Sequence, residues 1–217
     1  MAKRTLGAVL FEGFELLDLY GPLEMFGCLG EDLTIVTLAE EAGPVRSGFG
    51  PATVAEHAFR TAPACDLYLV PGGPGVFGAQ DNAAMLEFLR KAHGESELLM
   101  SVCNGAGILA SAGVLDGRRA TTNKIFFDTV RSRSEKTEWV ESARWVHDGD
   151  IATSSGVSAG ADMALAMIAQ LYGEERANAV AVLAEWNRHE DADADPFAEH
   201  LNETHWMATA LNLGKSA

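Results

Sequence analysis

Hydrophobic positions along this chain fall into short, nearly unbroken runs separated by stretches with helical spacing. Thr5 to Phe11, Leu33 to Leu38, Asp66 to Val70 and Leu98 to Val102 are such runs. Each has the length and apolar density of a buried strand. Between them, Phe14, Leu17, Leu19, Leu23 and Phe26 mark a helix over residues 14–28, which Gly21-Pro22 should break or kink. Asn82 to His93 reads as a second helix, with Met85, Phe88 and Leu89 facing inward. Further helices are expected over Ala106 to Ala112, Ile125 to Ser132, about 160–172 and about 174–187, with one more segment after Pro196. Residues 40–50 hold three glycines and a proline and read as a loop. Trp139 to Thr153 alternates around Asp148-Gly149, a hairpin signal. Strands alternating with helices, with no repeat and no linker, predict one α/β domain over residues 1–217. Its sheet is mostly parallel and covered by helices on both faces.

Charge narrows the partners. Sixteen Lys and Arg stand against 31 Asp and Glu, a net charge of −15. Such a surface repels phosphate backbones and anionic lipid heads, so neither nucleic acid nor a membrane is the expected partner. No apolar run approaches the ~20 residues of a membrane span. The basic, then apolar N-terminus meets Glu12 and Glu15 at once and reads as a first strand, not a signal peptide. Three cysteines, Cys28, Cys65 and Cys103, form no close pair. That suits free thiols in a reducing compartment and an expected cytoplasmic location.

Chemistry concentrates at three places. In Ser101-Val-Cys103-Asn-Gly105 a buried strand turns sharply into a helix with a nucleophile at the turn, the pattern of a nucleophile elbow. A cysteine there sits at a helix N-terminus, where the dipole should favour the thiolate. Cys28 and Cys65 lack that context and read as structural. Pro71-Gly-Gly-Pro-Gly75 follows another strand, so N–H groups at Gly72 and Gly73, with Asn104, could form an oxyanion hole. The same stretch contains Gly73-x-Gly75-x-x-Gly78, but the flanking prolines and late helix argue against a dinucleotide loop. Asp18 stands among Leu16, Leu17, Leu19 and Tyr20, where a buried carboxylate must be protonated or paired. Glu24 reads instead as a carboxylate on the helix surface. Asp191, Asp193 and Asp195 have a calcium-loop spacing, but Pro196 and Asn202 replace the Gly and Glu such a loop needs. That segment reads as a solvated acidic loop. The histidines show no metal spacing.

With these residues in place, the chain resembles the ThiJ/PfpI superfamily of class I glutamine-amidotransferase-like folds. The resemblance spans nearly the whole chain. It rests on Phe14-Glu-Leu-Leu-Asp18-Leu-Tyr-Gly-Pro, Pro71-Gly-Gly, Ser101-Val-Cys-Asn-Gly, Ala112 to Thr122 and Thr153 to Leu165. Its features are most similar to the isocyanide (isonitrile) hydratase branch. That similarity implies a flavodoxin-like sheet, a homodimer, a small-molecule substrate, no metal or organic cofactor, and Cys103 and Asp18 as the catalytic pair. Where several branches carry His after Ala-Thr-Thr, this chain has Asn123-Lys124, and Asn104 replaces the His that follows the nucleophile in protease-like relatives. Both differences point away from a protease. The other readings are a cysteine enzyme acting on reactive aldehydes (glyoxalase-like) or amides, and a redox sensor built on Cys103.

Overall fold

The computed structural model describes residues 3–212, so both ends of the expected 1–217 domain lie outside the described residues. In chain order, β1 (Arg4–Val9) is followed by α1 (Leu16–Gly27), β2 (Leu33–Ala39), β3 (Gly43–Arg46), β4 (Ala52–Ala55) and β5 (His57–Ala58). Next, β6 (Leu67–Val70) leads through α2 (Val76–Ala79) and α3 (Ala83–Glu95) to β7 (Leu98–Val102). Then α4 (Ala106–Ser111), β8 (Arg119–Ala120), α5 (Phe127–Arg131) and β9 (Glu138–Trp139) precede β10 (Trp145–Asp148) and β11 (Ile151–Ser154). Helices α6 (Ala159–Tyr172), α7 (Glu174–Leu183) and α8 (His205–Ala210) complete the order.

Seven strands form one sheet in the order β10-β11-β7-β6-β1-β2-β5. Every neighbouring pair is parallel except the β10–β11 hairpin. This is the mostly parallel α/β sheet that the alternating pattern predicts, in the flavodoxin-like form that the resemblance implies. Strands β6, β7 and β11 are buried along their whole length, which explains the apolar runs of β6 and β7. Helices α1, α6 and α7 pack together as one group, and α2 to α5 as another; β7 touches members of both. Among the described residues, no helix is long and apolar enough to cross a membrane.

The structure departs from the expected elements at several points. Helix α1 runs through Pro22 without a break. The proline withholds one N–H from the helix, but its ring is buried and seated beside Gly160 of α6. A Cβ on Gly160 would lie 3.1 Å from Pro22 Cγ, so tertiary packing offsets the lost bond. The expected loop at 40–50 contains β3, which pairs antiparallel with β4. Its glycines and proline concealed a strand only four residues long. Trp139 belongs to β9, so the hairpin strands begin at Trp145 and turn at Gly149, which has φ +68°. Helix α7 stops at Leu183 instead of 187, just before Glu185 adopts φ +50°.

Topology sets the site. Strands β7, β6 and β1 are adjacent, and the chain leaves β1 toward β2 on one side while β6 lies on the other. Such a reversal opens a crevice at the carboxyl ends of the strands. Asp18, Gly72 and Cys103 all follow those ends.

Candidate active site

Cys103 sits in a strained turn. Val102 is extended at φ −118°, and Cys103 then takes φ +58°, the left-handed region that side chains other than glycine avoid. Three contacts hold it there. Its N–H donates to Ser155 O at 3.0 Å, and its carbonyl accepts from Thr122 Oγ1 at 2.8 Å. The neighbouring Asn104 side chain bonds Gly73 both ways, accepting from its N–H at 2.8 Å and donating to its carbonyl at 3.1 Å. Gly105 completes the elbow, because a Cβ there would lie 2.6 Å from Pro71 O and 2.8 Å from Val70 O. We therefore expect Gly105→Ala to destabilise the protein by ~1–3 kcal/mol through overpacking and to disturb Cys103. Thermal melting together with the rate of Cys103 alkylation checks this; unchanged values in both would show that the turn has room to spare.

Asp18 is fully buried in the first turn of α1. Glu15, not Asp18, holds the N-cap position, and the Asp18 side chain turns toward the glycine loop. Its Oδ2 accepts from Gly72 N–H at 2.9 Å, while Oδ1 has no hydrogen-bond partner. The three chemical residues converge on Gly72. A Cβ built there would lie 2.7 Å from Asp18 Oδ2 and 2.9 Å from Cys103 Cβ, and would also run into Asn104 Oδ1. Only glycine leaves room for that convergence.

Asp18 and Cys103 influence each other's protonation. Burial raises the Asp18 carboxyl from 3.8 to about 7, helped by nearby Glu15 and opposed by the Gly72 amide and the Cys103 side chain. Burial, and then the charge of Asp18, push the Cys103 thiol well above its ordinary range, against the pull of the Asn104 amide. The sequence expectation of a thiolate favoured by the helix dipole is thus reversed. Cys103 begins a single 3-10 turn and is buried, so desolvation outweighs the few aligned N–H groups.

The expected oxyanion hole also needs correction. The Gly72 and Gly73 amides already donate to Asp18 and to Asn104, so these two glycines frame the nucleophile, and the backbone amide that faces the sulfur is that of Asn104. Cys28 caps the C-terminal end of α1, and the Cys65 thiol points to Pro63 O at 3.4 Å.

Cys103 opens into a cavity of about 590 Å³. Ile125, Val157, Phe197 and Trp206 give it apolar walls; Asn123, Lys124, Arg144, Ser155, Ser158 and His200 add polar groups. The supposed acidic loop is partly its foundation. The Asp195 side chain is fully buried and pairs with Lys124 at 3.5 Å and Arg144 at 3.7 Å, and Arg144 in turn grips Asp162. Alternating aspartates gave no signal of this, because their partners lie far away in sequence. Asn202, at φ +61°, then fixes the following segment. It exchanges hydrogen bonds with the Asp128 N–H and carboxyl at 2.9 and 2.8 Å, and its own N–H donates to Lys124 O at 2.8 Å. Sequence reasoning missed Phe197, His200 and Trp206 as wall residues. Among the described residues, no group of three metal-ligating side chains comes together.

Known proteins share this fold. The model of the DJ-1/PfpI family matches residues 6–170. The isonitrile hydratase of Pseudomonas putida is 31% identical over 192 residues, covering 88% of this chain and 80% of the relative. A deglycase of Thermococcus kodakarensis is 27% identical over 150 residues, covering 64% of this chain and 88% of the relative. The crystal structure of a ThiJ/PfpI family protein from Pseudomonas syringae superposes with a TM-score of 0.82 at 29% identity, covering 97% of this chain and 88% of that one.

Proposed function

Because this chain belongs to the DJ-1/PfpI family, we propose that its buried cysteine–carboxyl pair hydrates isocyanides to N-substituted formamides. One observation carries the reading: Asp18 and Cys103 meet over Gly72, and the sulfur opens into a cavity with apolar walls. The likeness to an isonitrile hydratase supports it. An isocyanide, R–N≡C, is compact, neutral and electrophilic at its terminal carbon, so it suits an apolar chamber. Cys103 passes its proton to Asp18 and attacks that carbon, forming a C–S bond. The proton moves on to the same carbon, giving the thioimidate R–N=CH–S–Cys103. Water then adds across C=N, and the adduct collapses to R–NH–CHO and the free thiol. This route needs neither metal nor organic cofactor.

Two further features belong to the proposal. Leu17 and Tyr20 of α1 and Phe49 and Val54 around the β3–β4 hairpin expose large apolar surface on adjoining elements, which suits a homodimer. The three free thiols suit a reducing, cytoplasmic setting.

The test is turnover of aliphatic and aromatic isocyanides, with the formamide measured by chromatography and methylglyoxal assayed in parallel. Formamide production that saturates with substrate is the expected result. Consumption of methylglyoxal with no formamide from any isocyanide would replace this reading with an aldehyde-directed one, in line with the deglycase relative.

A further inference from the structure

The second half of that cycle, attack by water, needs a base on the cavity side of the sulfur. Asp18 is fully buried behind Cys103 and is not among the residues lining the cavity. Lys124 and Arg144 do line it, but neither is free. The Lys124 ammonium donates to Ala143 O at 2.7 Å and Thr121 Oγ1 at 3.1 Å and pairs with Asp195. The Arg144 guanidinium is held by Asp162. Asn123 has no basic atom.

His200 remains. It faces the same cavity from the segment that Asn202 pins down. Its Nδ1 lies 2.8 Å from Glu203 Oε2, and that oxygen also accepts from Trp206 Nε1 at 2.8 Å. A carboxylate only accepts, so the hydrogen of the first contact resides on Nδ1. In the neutral ring the lone pair is then on Nε2. Among the described residues Nε2 makes no hydrogen bond, and Glu199 Oε1 stands 3.7 Å from it. An imidazole oriented through one nitrogen by a carboxylate, with the other nitrogen available, is the arrangement that general-base catalysis uses.

We propose that His200 is the general base that delivers water to the carbon bound to Cys103, with Glu203 as its positioning residue. His200 Nε2 takes one proton from water as the oxygen bonds to the thioimidate carbon. The C=N π pair moves to nitrogen, which receives that proton back from the imidazolium. As the C–S bond then breaks, its electron pair goes to sulfur together with the hydroxyl proton, and the formamide leaves. The inference rests on the hydrolytic reading of Cys103 but not on the isocyanide itself.

The experiment separates the two. The full chain is acetylated on Cys103 with p-nitrophenyl acetate, the reagent is removed, and loss of the acetyl group is followed by intact mass. This is water attack on a carbon bound to the same sulfur, with no isocyanide involved. His200→Ala and His200→Gln are expected to slow deacetylation about 10²-fold, and added imidazole is expected to restore part of the rate in His200→Ala. Rescue by a free base distinguishes proton transfer from a packing role. In parallel, an isocyanide should leave a mass adduct on Cys103 that persists in His200→Ala and turns over in the wild type. Slowed deacetylation without any isocyanide adduct would keep His200 as the base and overturn the hydratase reading. Equal deacetylation in wild type and variants, or a wild type whose Cys103 takes up no acetyl group, would overturn the role of His200.

Discussion

Cys103→Ser is expected to lower isocyanide turnover by about 10³-fold or more while leaving the fold intact. The elbow should accept serine, because the contacts that hold φ at +58° come from the Cys103 backbone and from Ser155, Thr122 and Asn104. The chemistry should not survive. Asp18, whose carboxyl stands at about 7, can take a proton from a thiol far more readily than from an alcohol. Cys28→Ser and Cys65→Ser are the controls and should retain most activity, since one caps α1 and the other sits just before β6. Initial rates and circular dichroism on the three variants decide the matter. A Cys103→Ser enzyme working near the wild-type rate would rule out covalent catalysis through this residue.

The second large effect has two opposite signs in one variant. Asp18→Asn is expected to lower turnover by at least ~10²-fold and to make the protein more stable at neutral and alkaline pH. The amide can still accept from Gly72 N–H, but it cannot receive the cysteine proton. The stability gain follows from linkage. The folded carboxyl keeps its proton up to about pH 7, whereas the unfolded one loses it near 3.8. Between those values the unfolded state gains from ionising while the folded state cannot. Wild-type stability therefore falls as pH rises from about 4 to 7, by ~4 kcal/mol at most. Asp18→Asn escapes that loss. Melting curves should coincide near pH 4 and separate progressively up to pH 7, with the variant higher. Glu24→Gln, on the exposed side of α1, should change neither rate nor melting. A parallel pair of pH–stability curves would show that Asp18 is ionised in the folded protein throughout this range.

The parts of this molecule that were legible in the sequence are those whose cause is local. β6 and β7 are buried on both faces, and their unbroken apolar runs say so. Cys103 and Asp18 stood out because each breaks the rule of its neighbourhood, a nucleophile at a strand end and a carboxylate among leucines. The rest depends on contacts between distant residues. Pro22 is tolerated because Gly160 lies opposite it. Asp195 is buried because Lys124 and Arg144 come from other elements. Gly72 and Gly73 looked like open donors until Asp18 and Asn104 were seen to occupy them. The thiol was misread in the same way: a dipole is visible in a sequence, whereas the desolvation that outweighs it belongs to the fold.

The cavity is assembled from two separate portions of the chain. The sulfur, its carboxyl and the glycine frame fall within residues 6–170, the stretch that matches the family. Phe197, His200 and Trp206 come after it, carried by a segment fastened through Asp195 and Asn202. Substitutions at Phe197 and Trp206 are therefore expected to change which molecules enter while His200 and the strained turn at Cys103 stay in place. Exchanging the stretch from Asp195 to Trp206 between relatives is a direct test of whether these walls set the choice of substrate.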